Sequence, residues 1–205
     1  MRDIDKTPAP PPLSCHDDLK ASLDMAMKLL QRGASDAKSP LHTPVLASTN
    51  AHGHPQTRMV VLRQFLPATH QLYFHTDKRS AKIAEIEQNP TISLLFYDPK
   101  PRIQMRVKGL AALLPQAIQN EQWQKLNARS KPVYQIEPAP GHIIKTPEQA
   151  SYQPEATDQG KDNFLAIGVT MQRLEWLYLA RAGHRRAEFL FLENAEQVES
   201  RWLTP

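Results

Sequence analysis

Two neighbouring stretches concentrate the residue types that hold a phosphate: Arg58-Met59-Val60-Val61-Leu62-Arg63, and then Tyr73-Phe74-His75-Thr76-Asp77-Lys78-Arg79-Ser80-Ala81-Lys82. The first reads as an apolar strand bracketed by two guanidinium groups. The second reads as a strand that runs through a turn rich in hydroxyls and cations into a helix. Asp77 is expected to N-cap that helix from Lys78 onward, with Ser80 at its third position. The free amides of a helix start, with about half a positive charge, then point at whatever lies beyond. Lys78, Arg79 and Lys82 add cations, and Thr76 and Ser80 add hydroxyl donors. A charge-assisted hydrogen bond contributes roughly 1.5–3 kcal/mol, and micromolar binding needs about 8 kcal/mol. Three such bonds supply a large share of that.

Strand alternation sets Arg58, Val60 and Leu62 on one face and Met59, Val61 and Arg63 on the other. The two arginines therefore serve different places unless a bulge intervenes. A third stretch, Arg102-Ile103-Gln104-Met105-Arg106-Val107-Lys108-Gly109, puts Gln104, Arg106 and Lys108 on one face and Ile103, Met105 and Val107 on the other. The Gln104 amide both donates and accepts, which suits the edge of a planar heterocycle. Taken singly, each piece also reads as ordinary surface: a basic helix start, an outward charge, the wet side of a half-buried strand.

The elements that must carry these residues are mostly strands. A first helix is expected from an N-cap at Ser14 to about Gln31, with Leu19, Leu23, Met27 and Leu30 as its core stripe and Gly33 past its end. Strands come next at Pro44–Thr49, Gln56–Leu66 and Gln71–Thr76. A helix over Arg79–Gln88 stops at Asn89-Pro90. Strands at Thr91–Tyr97 and Arg102–Leu114 are then expected, and after them a helix over Pro115–Leu126 with Pro115 as its first residue. Phe164–Leu179 and Arg185–Leu192 form a hairpin around Arg181-Ala182-Gly183-His184, and Arg201-Trp202-Leu203 ends the chain. About seven strands joined by tight turns read as an antiparallel barrel.

The chain has 205 residues, enough for one full-sized domain. We expect residues 1–13, with Pro8 to Pro12, to be a disordered tail, and 14–205 to be a single domain. A Pro-rich stretch from Pro132 to Pro154 has no clean period and reads as a lid, a packing arm or a disordered segment. The net charge of +4 is mild and its basic residues are scattered, which argues against a nucleic-acid surface. Cys15 is the single cysteine, so an intramolecular disulfide and a Cys-rich metal site are excluded. That fits a reducing cytosol. The N-terminus has no apolar signal region, and no apolar run is long enough to cross a bilayer; a cytoplasmic protein is expected. The eight histidines include no helical i, i+4 pair, and no Gly-rich dinucleotide fingerprint, P-loop or nucleophile elbow is present.

The three stretches, in this order, with Asn89-Pro90 leading into Leu94-Leu95-Phe96-Tyr97, resemble the pyridoxamine 5'-phosphate oxidase superfamily of FMN-binding split barrels. The ending Arg201-Trp202-Leu203-Thr204-Pro205 is also similar to the family's. The resemblance implies a mainly β fold with flanking helices: an FMN-binding split β-barrel, antiparallel and of Greek-key type, forming a homodimer with FMN at the interface. It implies that Arg58 and Lys82 hold the FMN phosphate with Ser80 nearby. Met59, Val60 and Val61 would line the isoalloxazine through their backbone, with Arg63 beside them; His75 and Thr76 would contact the flavin, and Gln104 would reach its ring edge from the partner strand. Members that oxidise pyridoxamine phosphate carry lysine where Arg63 stands, arginine where Ala81 stands, and a Tyr…Arg…Ser set that is missing from Gln116 to Ser130. A flavin-contacting arginine near the C-terminus is Glu188 here. The expected function is thus an FMN-dependent oxidoreductase of unknown small-molecule substrate. The rivals are a non-catalytic flavin- or haem-binding module, with His75 or His184 as axial ligand, and a true pyridoxamine 5'-phosphate oxidase. His184, Arg185 and Arg186 remain open as a substrate-binding turn. No bound metal, nucleic acid or membrane is expected.

Overall fold

A computed structural model describes residues 14–151, 158–180, 183–192 and 197–205. The expected N-terminal tail and two residues of the C-terminal hairpin turn, Arg181 and Ala182, lie outside these. Nine strands and three α-helices make up the described chain, in the order α1 (Leu19–Ser35), β1 (Val45–Thr49), β2 (Pro55–Met59), β3 (Leu62–Leu66), β4 (Gln71–Asp77), α2 (Ala81–Gln88), β5 (Thr91–Asp98), β6 (Ile103–Leu113), α3 (Gln116–Lys125), β7 (Phe164–Tyr178), β8 (Arg185–Phe191) and β9 (Val198–Leu203). All ladders are antiparallel, in the spatial order β2-β1-β5-β6-β7-β4-β3, with β8 and β9 branching from β7.

The sheet does not close, and β7 is where it divides. One edge of β7 pairs with β6 along most of its length. Its other edge pairs with β4 through Phe164–Thr170 and with β8 through Arg173–Tyr178. Between the two halves the register slips, leaving Gln172 as an extra residue. Such a bulge reverses the in–out alternation. Ile167, Val169 and Met171 before it and Leu174 and Trp176 after it therefore all enter the same core. Gly109 permits the crossing, because a Cβ there would sit 2.3 Å from the Thr170 carbonyl oxygen.

That core lies between the sheet and α1, with Leu30, Leu46, Phe74, Phe96, Met105, Trp176 and Phe189 almost fully buried. A second cluster of Trp123, Leu126, Tyr134, Phe164 and Ala166 joins α3 to the start of β7. There the Gln119 carboxamide continues the ladder beyond β6, donating to Ala166 O at 2.9 Å and accepting from Ala166 N at 2.6 Å.

Several local expectations are corrected. Asp18, not Ser14, caps α1 by accepting from Ala21 N. The helix runs on through Gly33 to Ser35, since a glycine there lets Leu41 approach within a space no Cβ would allow. Pro115 is the cap of α3 rather than its first residue. The long strand expected over Gln56–Leu66 is two strands, β2 and β3, broken at Val60-Val61. With β9 also paired along six residues, the count rises from seven strands to nine.

Candidate functional site

Arg58 stands opposite Leu46 on β1, so its side chain leaves β2 on the core side of the sheet. It folds back over Ser48 and Glu85. Its Nη2 donates to Glu85 Oε2 at 2.8 Å, its Nη1 donates to Ser48 Oγ and, at 3.3 Å, to the Gln56 carbonyl. Ser48 Oγ donates to the same carboxylate oxygen at 2.5 Å. Next to this group, Lys82 Nζ donates to Thr76 Oγ1 at 2.9 Å and Ser80 Oγ at 2.5 Å. Burial lowers the Lys82 pKa, and the Arg58 charge lowers it further, while Glu85 and Asp77 act in the opposite sense. Ser80, rather than Asp77, is the N-cap of α2, and its hydroxyl makes no capping bond; it faces Lys82 instead. Arg58, Thr76, Ser80 and Lys82 thus converge on one cradle at the start of α2.

Asp77 is claimed elsewhere. Its carboxylate accepts from Arg79 N at 2.8 Å and from the Arg79 guanidinium at 2.7 and 3.0 Å. Arg79 also donates to Ile136 O at 2.9 Å and pairs with Glu137 at 2.5 Å. It is therefore a clasp between the β4–α2 turn and the Pro-rich segment, not one of the cradle's cations. Lys78 is exposed.

Arg63 and His75 share a second place. The ladder between β3 and β4 slips between Leu62 and Gln64, which makes Arg63 the bulged residue. A bulge re-aims its side chain, here into a cavity of about 340 Å³ lined by His75, Gln64, Gln122, His42, Lys125 and Asn127, among others. His75 Nε2 lies 3.2 Å from Gln122 Oε1, and Gln122 Nε2 donates to Gln64 Oε1 at 3.0 Å. This chain of bonds makes His75 Nε2 the protonated nitrogen and Nδ1 an acceptor. Burial pushes His75 down to about 4, the Gln122 bond opposing and the Arg63 charge assisting. His75 Nδ1 and Arg63 Nε are buried without a hydrogen-bond partner. His75 and Thr76, adjacent on β4, open to opposite sides of that strand.

Gln104 occupies a third place, on the outer face of the sheet. It pairs with Tyr97 and Leu177 across the ladders and lines a small cavity of about 180 Å³ with Arg106, Glu175, Leu177 and Arg186. Burial tends to raise the Glu175 carboxyl. Hydrogen bonds from Arg106 and Arg186, with the Arg106 and Arg173 charges, outweigh that and hold it below its usual range. Glu188 is buried between Arg173 and Arg201. Arg186 is thereby bound to Glu175 and Arg185 to Asp17, while His184 is exposed. Met59, at 65% exposure, lies on the same outer face; Val60 is buried with its N–H on Pro44 O, and Val61 is half-buried at the strand break.

The sequence reading did not find Ser48, Glu85, Gln64 or Gln122. Among the described residues no group of three or more His, Cys, Asp and Glu could hold a metal ion, and no helix is long and apolar enough to cross a membrane. The cradle fits a phosphate monoester: two cations and two hydroxyls at a helix start, with an ammonium whose only hydrogen bonds go to neutral oxygens.

The fold is a mainly β split barrel, and the cradle sits at one corner of it, where β4 runs into α2. Residues 25–115 match the family model for the pyridoxamine 5'-phosphate oxidase FMN-binding domain, so the resemblance read from the sequence holds and the matched domain is an FMN-binding one. A pyridoxine/pyridoxamine 5'-phosphate oxidase of Caulobacter vibrioides is 32% identical over 100 residues, covering 49% of this chain and 43% of the relative. One from Acinetobacter baumannii is 34% identical over 88 residues, covering 42% and 39%. The chain thus spans less than half the length of these relatives. Among solved structures, a pyridoxamine 5'-phosphate oxidase-related, FMN-binding protein of Nostoc punctiforme superposes with a TM-score of 0.71 at 25% identity, covering 89% of this chain and 96% of that one. PhzG of Burkholderia lata, solved with tetrahydrophenazine-1-carboxylic acid, shares the fold with a TM-score of 0.73 at 15% identity, covering 94% and 97%.

Proposed function

We propose that this chain is an FMN-dependent oxidoreductase related to pyridoxamine 5'-phosphate oxidase, acting as a homodimer on a small anionic substrate. The observation that carries the reading is the convergence of Arg58, Thr76, Ser80 and Lys82 on one cradle. These four would hold the FMN phosphate. The flavin ring, once bound, supplies the electron chemistry, and the protein supplies binding, orientation and electrostatics. The broken backbone at Met59, Val60 and Val61 would flank the ring. Gln104 is on the outer face, so it would reach the ring edge from a second copy of the chain.

The cavity at Arg63 and His75 is the substrate side in this reading. Arg63 supplies a permanent positive charge, while His75, kept neutral by burial, lines the wall without a charge of its own. Gln64 and Gln122 fix its ring. A compound with one anionic group would meet Arg63. The named vitamin oxidase activity is less well supported, because Ala81 and Glu188 stand where its arginines are expected.

An absorbance scan of freshly purified protein tests the cofactor. Flavin bands are expected, or a rise in melting temperature on adding FMN to colourless protein; colourless protein with an unchanged melting temperature ends the reading. Pyridoxal phosphate formation from pyridoxamine phosphate, assayed on flavin-loaded protein, distinguishes the vitamin oxidase from an oxidoreductase of other specificity.

A further inference from the structure

A carboxylate has the wrong charge for a phosphate site, yet Glu85 sits in the middle of this one. It is 8% exposed and lies between the buried Ile83 and Ile86 on the inner side of α2. Its Oε2 accepts from Arg58 at 2.8 Å and from Ser48 at 2.5 Å. Arg58 is thereby engaged through both terminal nitrogens. Lys82 is held differently, by two neutral hydroxyls, and feels Arg58 as a repelling charge and Glu85 as an attracting one. Two half-buried cations side by side repel each other without a counter-charge. Glu85 provides it. A phosphate monoester brings about −1.5 to −2 charges to the same two cations, and the carboxylate is then a like charge beside it.

We propose that Glu85 is an internal substitute for the phosphate: it neutralises Arg58 while the cradle is open and competes with an arriving 5'-phosphate for that guanidinium. Resting on the FMN reading above, this assigns Glu85 the setting of how tightly the phosphate end is held, with no effect on the ring end. A residue that merely oriented Arg58 for the phosphate would have the opposite effect when neutralised.

Glu85→Gln keeps the side-chain length and an acceptor oxygen and removes the charge. Flavin-free wild type and variant are titrated with FMN and with riboflavin, following flavin fluorescence. The variant is expected to bind FMN about tenfold more tightly, with riboflavin affinity unchanged. FMN binding that is unchanged or weaker in the variant, with riboflavin still bound, overturns the proposal and makes Glu85 a support for Arg58. A wild type that binds neither flavin is a separate result, seen before any variant is made, and sinks the FMN reading and this inference with it. Should Glu85→Gln not fold without ligand, its refolding yield reads the same competition. FMN should restore folding and riboflavin should not; rescue by neither, or equally by both, overturns the proposal.

Discussion

Lys82 holds a half-buried ammonium against two hydroxyls, so its loss should be felt by ligands that carry a phosphate and by no others. Lys82→Ala is expected to weaken FMN binding about tenfold or more, as the removal of one charge-assisted bond would, with riboflavin affinity unchanged; flavin fluorescence titration reads both. Arg58→Ala should act in the same direction and also leave Glu85 buried without its guanidinium, so its melting temperature should fall further than that of Lys82→Ala. His75 makes a claim about acid. Its folded-state pKa of about 4 lies below the ordinary 6.5. Between those values the unfolded chain binds the proton and the folded chain does not, so stability is complete above pH 6.5 and declines as pH falls towards 4. His16 and His70, also lowered chiefly by burial, add to the same slope. Urea midpoints should therefore drop from pH 7.5 to 5, and drop less in His75→Gln. Arg58, Thr76, Ser80 and Lys82 were legible because strand and turn residues close in sequence carry their own chemistry. Ser48 and Glu85 were not: they lie on other elements, and a lone serine on an apolar strand or a glutamate on a short helix has too many ordinary uses to stand out.

Alternation read β5 and β6 well, because each has one buried and one wet face and the burial repeats with period two. It failed where one extra residue changes the parity. Neither Arg63 in β3 nor Gln172 in β7 differs in hydropathy from a regular strand residue, yet each is a bulge that turns the rest of its strand over. The break at Val60-Val61 was hidden for a related reason: the run Met59 to Leu62 is uniformly apolar, and apolar strand residues look alike whether the ladder continues or changes partner. The cap of α2 moved from Asp77 to Ser80 because Arg79 outcompetes the helix amides for the aspartate. The tight crossing at the β7 bulge gives an element-scale test. Gly109→Ala would drive a methyl group into the Thr170 carbonyl and should destabilise the chain by about 2 kcal/mol or more, read as a lower urea midpoint with unchanged slope.

Across the whole molecule, the sheet's outer face is amphipathic in a patterned way. Met59, Val45, Leu95, Arg106, Glu175, Glu188 and Arg201 lie on one cross-strand row, apolar at one end and an arginine–glutamate lattice at the other. Met59, Leu95, Tyr97 and Leu110 all keep 40% or more of their surface exposed there. An exposed apolar patch rimmed by charge is what an interface between copies offers. Sedimentation velocity should find a dimer, and Leu95→Asp should shift it towards monomer and weaken FMN and riboflavin alike, unlike the cradle variants, because Gln104 would then be withdrawn from the ring. A strand between two sites also has a meaning for how such a protein diversifies. His75 and Thr76 are consecutive, yet one opens towards Arg63 and the other towards Lys82, so β4 works as a bulkhead. On the proposed function, substitutions at 63, 75 and 122 would accumulate on one side and rewrite which compound is accepted, while the proposed anchorage of the cofactor on the other side is inherited unchanged.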